Sequence, residues 1–257
     1  RARASAPSGM KLSPPSPLSR FVGALRRASA SEREPHQHAS VRDSLSKLLF
    51  GSLSARNDER FGRAAAELKT RATSAFTMDV EFHQLGLRLH SNGMQVLAGV
   101  TGSCRKGRIT AVMGPSGAGK TTFMNTLAGR AAYGRTTGEI LINGKLDSVH
   151  NYSPWVGFVP QDDIMLRELT VFENLAFYAE LRLPPAMEQA EKDRIVSSVI
   201  DVLGLSHIAH SPIGDETTRG ISGGQRKRVN VGMELVSWPS LLFLDEPTSG
   251  LDSTTSM

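Results

Sequence analysis

From Phe76 onward, short β-branched apolar runs alternate with longer stretches at helical spacing. Three runs read as buried strands. Arg108 to Met113 (R-I-T-A-V-M) ends in Gly114, Val156 to Val159 (V-G-F-V) runs into Pro160-Gln161, and Leu241 to Leu244 (L-L-F-L) runs into Asp245-Glu246. Apolar runs this short, closed by turn-forming or polar residues, are what interior strands of a sheet require. Phe76 to Gly107 reads as an antiparallel β region with a turn at Ser91-Asn92-Gly93. Glu139 to Ile142 reads as a strand that turns at Asn143-Gly144, a strong hairpin signal.

The helical pattern is as plain. Thr121 to Ala128 predicts a helix, as does Gln225 to Leu235 behind the N-capping Ser222. The region from Gln161 to about Leu205 also reads as helical. Within it Thr170 and Glu173 form a capping box, and Val171, Leu175, Tyr178 and Ala179 make an apolar stripe that stops at Leu183, before Pro184. A second stripe (Ile195, Val199, Val202, Leu203) ends at Gly204, a C-cap residue.

The chemistry sits where strands meet helices. Gly114 to Thr121 reads G-P-S-G-A-G-K-T, the form G-x-x-x-x-G-K-[ST]. Gly114, Gly117 and Gly119 let the backbone turn tightly and aim its N–H groups at phosphate oxygens, with Pro115, Ser116 and Ala118 between them. The helix that follows presents its positive end to the same anion. Lys120 would reach the β- and γ-phosphates of ATP and the Thr121 hydroxyl would ligate Mg²⁺; Thr122 is expected to join the nucleotide contacts. The strand Leu241–Leu244 delivers two carboxylates at its C-terminal end, where ligands of open α/β sheets bind. Asp245 suits the Mg²⁺ shell, and Glu246 suits general-base work on water. Ser222, Gly223, Gly224 and Gln225 open a helix with uncovered N–H groups, a second anion site.

The phosphate loop, I-S-G-G-Q at Ile221 to Gln225 and L-L-F-L-D-E-P at Leu241 to Pro247, in that order, resemble the ATPase domain of ABC (ATP-binding cassette) proteins. The segments E-N-L…L-R-L-P before Pro184 and G-Q-R-K-R-V-N-V-G-M-E-L at Gly224 to Leu235 are similar to the G-type (white/brown complex-like) half-transporters. The resemblance runs from about Phe76 to Met257. It implies a P-loop α/β core with an antiparallel β subdomain and a helical subdomain, behind a tail over residues 1–75. It also implies a head-to-tail dimer, identical or not, in which the Ser222–Gln225 turn completes the phosphate site of a second ATPase domain. Gln161 would touch Mg²⁺ and the attacking water, residues 162–185 would contact the transmembrane domain, and Ser249 to Asp252 would cross the dimer interface. The ATPase domain would lie on the cytoplasmic face of a membrane and power export or translocation of an unnamed, lipidic or hydrophobic substrate.

Two departures accompany the resemblance. Asn92 to Leu97 (N-G-M-Q-V-L) has no aromatic residue to stack on adenine. The family's switch His and a central strand would follow Met257, so the chain as given is expected to be C-terminally incomplete, with unpaired sheet edges that favour aggregation. A truncated, non-hydrolysing nucleotide-binding fragment is therefore one alternative reading. A soluble ABC ATPase of translation or DNA repair is another, and the L-R-L-P segment and the charge of the domain weigh against it.

Charge changes the picture only when divided. The whole chain carries +5, but its first 31 residues hold six Lys/Arg and no acid, whereas residues 76–257 hold 16 Lys/Arg against 19 Asp/Glu. The basic balance belongs to a Ser/Ala/Arg/Pro-rich tail expected to be disordered, so it is no argument for nucleic acid as a partner. Arg226, Lys227 and Arg228 are expected on a solvated or ion-paired face. Val41 to Phe50 and Arg60 to Arg71 carry short helical patterns of a linker. One cysteine, Cys104, forbids an internal disulfide and fits a reducing compartment. No run approaches the ~20 apolar residues of a membrane helix, so membrane attachment would come from elsewhere in the protein.

Overall fold

A computed structural model describes residues 76–215 and 220–247. The tail and linker over 1–75, with both helical patterns, and the interface segment Ser249 to Asp252 lie outside the described residues. Six strands and four helices make up the rest: β1 (Val80–Leu89), β2 (Gln95–Cys104), α1 (Lys120–Leu127), β3 (Gly134–Ile142), β4 (Lys145–Leu146), β5 (Val156–Val159), α2 (Val171–Arg182), α3 (Gln189–Val202), α4 (Gly223–Leu235) and β6 (Leu241–Leu244). Short 3₁₀ turns cover Val149–Trp155 and Ser206–Ile208.

The antiparallel region forms as its turns predict. Its sheet runs in the order β2-β1-β3-β4, with β1 antiparallel to both neighbours. In β1 the buried positions switch from Val80 and Phe82 to Leu85 and Leu87. A strict period of two cannot do that. An irregularity between Phe82 and Leu85 shifts the register, and Gln84 takes φ 51° there. The extra residue keeps both apolar pairs on the core face. Gly138 of β3 crosses this bulge at φ 88°, where a Cβ would stand 2.3 Å from the Gln84 carbonyl oxygen. Only glycine fits there.

The second sheet is a parallel pair, β5 with β6, in the register Val156↔Leu241 to Val159↔Leu244. It lies between two apolar clusters. Val156, Phe158 and Phe243 join the cluster built from the antiparallel sheet and α1 (Leu85, Leu87, Met124, Leu127). Val159 joins the cluster of α2, α3 and α4 (Leu175, Val199, Val229, Met233), against which Leu242 and Leu244 also pack. Alternating side chains of one strand pair thus serve two cores, as the pleat dictates.

Two expectations need correction. Arg108 to Met113 is not a strand: it belongs to no ladder, and Val112 and Met113 are 40% and 58% exposed. An apolar run becomes a strand only when another strand satisfies its N–H and C=O groups, and among the described residues none does. Helix also does not begin at Gln161. Residues 161–170 form an irregular loop, and α2 starts at Val171, behind the capping box of Thr170 and Glu173. Pro184 to Glu188 then separates α2 from α3. The stripes themselves are buried as expected: Val171, Leu175 and Ala179 on α2, and Ile195, Val199 and Val202 on α3. Gly204 follows at φ 66°.

The loop before α2 is built around Asn174, which is 1% exposed. Its Oδ1 accepts from the Leu166 N–H at 2.8 Å, and its Nδ2 donates to the carbonyls of Leu166 and Thr170, each at 3.0 Å. Asn174→Ala should strip the Leu166 N–H and carbonyl of their Asn174 side-chain partner, while the Thr170 carbonyl keeps the Asn174 backbone N–H, and cost about 1–3 kcal/mol. Amide exchange of residues 166–170 checks this, since the loss should appear there first.

Candidate functional site

The phosphate loop takes the shape its glycines allow. Gly117 and Gly119 sit at φ 78° and 86°, and Gly119 is the left-handed N-cap of α1. Gly114 lies outside the left-handed region, and a Cβ there would make a tight contact of 3.3 Å with the Ala118 Cβ. The Ala118 N–H donates to the Pro115 carbonyl at 3.2 Å and closes the turn. Lys120 Nζ spans the loop, donating to the carbonyls of Gly114 at 3.1 Å and Pro115 at 3.0 Å. Its ammonium therefore lies over the turn to which the motif assigns phosphate.

The carboxylate strand ends against the same helix. Asp245 is 4% exposed, and its N–H donates to the Val159 carbonyl at 2.9 Å, extending the β5–β6 register by one residue. Its Oδ1 accepts from the Thr121 hydroxyl at 3.1 Å. Two residues 124 positions apart, each assigned to Mg²⁺ from sequence, are thus neighbours. This donor set fits the ion: a hydroxyl and a carboxylate are hard oxygen ligands, and two of them leave room for waters and phosphate oxygens. Glu246 follows, exposed and at φ 41°. A non-glycine residue in that region is strained, and such strain gathers at functional turns. Gln161, also exposed, lies two residues beyond β5. Because β5 and β6 are parallel, the loops bearing Gln161 and Glu246 leave the same edge of the sheet.

The Ser222–Gln225 turn stands at the start of α4. Ser222 Oγ accepts from the Gln225 N–H at 3.3 Å, while Gln225 Oε1 accepts from the Ser222 N–H at 2.8 Å. The box uses the hydroxyl as an acceptor and leaves its proton free to donate. Ser222 and Gly223 are exposed, and Gly224 is half-buried. Among the described residues no hydrogen bond joins this turn to the phosphate loop of its own chain. Thr122 is half-buried in the first turn of α1 and lends its carbonyl to the Thr126 hydroxyl at 2.7 Å.

Other polar contacts escape a reading of sequence alone. Lys227 is ion-paired with Asp163 at 3.1 Å, and Arg228 donates to the Leu203 carbonyl at 3.2 Å. Lys227 and Arg228 therefore serve internal contacts, whereas the Nε of Arg226 is buried without a hydrogen-bond partner. On the next turns of α4, Glu234 lies buried beside Arg182 of α2 at 3.2 Å. Burial pushes the Glu234 carboxyl above the ordinary range, against the pull of Arg182 and Arg130. Each of these pairs joins residues far apart in the chain, so no local spacing announces them.

The described residues contain no helix long and apolar enough to cross a membrane. Residues 97–249 match the family model described as ABC transporter. The chain is 53% identical to ABC transporter G family member 28 of Arabidopsis thaliana over 70% of its own length and 16% of that protein's. It is 52% identical to ABC transporter G family member 25 of Oryza sativa subsp. japonica, over 66% of this chain and 17% of that one. To the broad substrate specificity ATP-binding cassette transporter ABCG2 of Rattus norvegicus the identity is 46%, over 63% and 24%. The chain thus spans a sixth to a quarter of the length of these relatives. The match covers the phosphate loop, Gln161, the Ser222–Gln225 turn and the Asp245–Glu246 strand end together, and on that ground the chain belongs to the ABC transporter family.

Proposed function

We propose that this chain binds and hydrolyses ATP within a G-type half-transporter. The observation that carries the reading is the Thr121–Asp245 hydrogen bond, which joins the phosphate loop to the carboxylate strand end. In the cycle, Gly114 to Thr122 wrap the phosphates, and Lys120 turns from its loop carbonyls to the β- and γ-phosphates. Mg²⁺, held by Thr121, Asp245 and Gln161, would neutralise phosphate charge. Water attacks the γ-phosphorus and the bond to the β-phosphate oxygen breaks, leaving ADP and phosphate. The Glu246 carboxylate accepts the proton of that water. Ser222 and Gly224 of a second ATPase domain donate to the γ-phosphate across a head-to-tail dimer, with Gln225 holding the turn.

The transmembrane domain meets residues 162–185 on the cytoplasmic face. Ile164 and Leu166 before α2, and Phe177 and Leu181 on it, are 45–66% exposed. Large apolar side chains left in water on this loop and the helix that follows it favour a partner surface. The relatives named as transporters favour this reading over a soluble ATPase.

Mixing two inactive variants of the intact protein tests the composite site. Ser222→Arg damages the site of the partner, whereas Glu246→Gln damages the site of its own chain. A mixed dimer keeps one site free of both changes, so hydrolysis should return on mixing. No recovery at any ratio would sink the head-to-tail arrangement.

A further inference from the structure

Lys227 and Asn230 stand three residues apart on α4, so they share a face. That face meets the loop leaving β5. The Lys227 ammonium donates to the Gln161 carbonyl oxygen and pairs with the Asp163 carboxylate at 3.1 Å. Asn230 Nδ2 donates to the Asp162 carbonyl at 3.3 Å and to Asp163 Oδ1 at 3.2 Å, and its Oδ1 accepts from the Ile164 N–H at 3.5 Å. Two side chains thereby fasten four consecutive residues of a loop that has no ladder of its own.

The fastening is built rather than incidental. Asn230 is 2% exposed, and the Lys227 side chain is 12% exposed. A long cation withdrawn this far from water is costly unless its partners replace the hydration, and here a carboxylate and a carbonyl do so. Gln161 itself stays exposed, with its carbonyl held by Lys227.

We propose that Lys227 and Asn230 are positioning residues for Gln161: they fix the loop from which its amide reaches toward the phosphate site. The inference rests on the role given to Gln161 above. Groups that orient a ligand from behind commonly affect activity by about 10–100-fold when removed. The same contacts tie the Gln161 loop to the helix that begins at Ser222, so the two motifs shift as one piece.

The test is a double-mutant cycle in the intact protein, using Lys227→Met, Gln161→Ala and the pair. Lys227→Met should lower kcat roughly 10–100-fold with KM for ATP nearly unchanged. It should add nothing in the Gln161→Ala background, and Lys227→Arg should recover most of the loss. Without nucleotide, the amides of residues 161–164 should exchange faster in Lys227→Met, whereas a Lys192→Met control, which removes the separate Lys192–Glu180 pair at 2.7 Å, should leave them unchanged. Full turnover in Lys227→Met, or an equal loss in both backgrounds, overturns the inference while the role of Gln161 stands. Unaltered turnover in Gln161→Ala overturns that role and the inference with it.

Discussion

Glu246→Gln should abolish turnover while ATP still binds. The change swaps one carboxylate oxygen for an amide nitrogen, so size and most hydrogen bonding survive and only the capacity to take a proton goes. Loss of a positioned general base typically costs about 10²–10⁴-fold. The binding elements are untouched: the loop from Gly114 to Thr122 and the Thr121–Asp245 contact belong to other residues. Phosphate release by the intact protein should therefore fall by at least two orders of magnitude, roughly the lower end of that range. Fluorescent-nucleotide binding should keep its affinity, and ATP-loaded dimer should accumulate. Undiminished phosphate release would remove Glu246 from the role.

The second large effect is on stability. Glu234→Ala should destabilise the protein by about 1–3 kcal/mol, because it removes the buried partner of Arg182, whose side chain keeps partial access to water. Glu234 bridges three elements. Arg182 of α2 lies 3.2 Å from it and also donates to the Val156 carbonyl of β5 at 3.1 Å, and Arg130 follows α1 with its guanidinium 4.5 Å from the centre of the Phe158 ring. Without the carboxylate, the mutual repulsion of Arg130 and Arg182 loses the negative charge that offsets it. Glu234 Oε2 sits at ion-pair distance but lacks a hydrogen bond. That agrees with a carboxyl whose pKa burial has raised. A raised folded-state value means the proton binds the folded form more tightly. The stabilisation tied to it is full below the ordinary Glu range and is lost as pH rises through the raised value. Glu234→Gln should therefore flatten the stability–pH curve over that interval, and thermal unfolding across pH measures it. An unchanged slope would place the titration elsewhere.

Much of this was legible in sequence because it is local. The turns at Ser91–Gly93 and Asn143-Gly144, the boxes at Thr170 and Ser222 and the glycines at 117 and 119 are decided within a few residues. They form as expected. The site residues could be named for the same reason, since each motif is contiguous. What failed was non-local. Residues 108–113 have the composition of a strand, but strand formation needs a partner that composition does not supply. The loop 161–170 has enough apolar residues for a helix, yet Asn174, Asn230 and Lys227 hold its backbone by contacts specific to this fold. The Glu234 cluster was invisible for a related reason: Arg130, Arg182 and Glu234 come from three segments that meet only after folding.

The parallel pair β5–β6 has a kinetic consequence. Val156 must find Leu241 across an intervening stretch that holds all of α2, α3 and α4. Closing so long a loop is slow when the chain between is disordered. The three helices pack mainly on one another around Leu175, Val199 and Val229, so they can collapse first and shorten the search. Asp245 meets Thr121 only after β6 is seated, so this contact of the phosphate site forms no earlier than the β5–β6 pairing. Nucleotide would then act late in biogenesis, as a clamp on the finished pairing, and substitutions in β6 would slow maturation more than equally buried ones in α3.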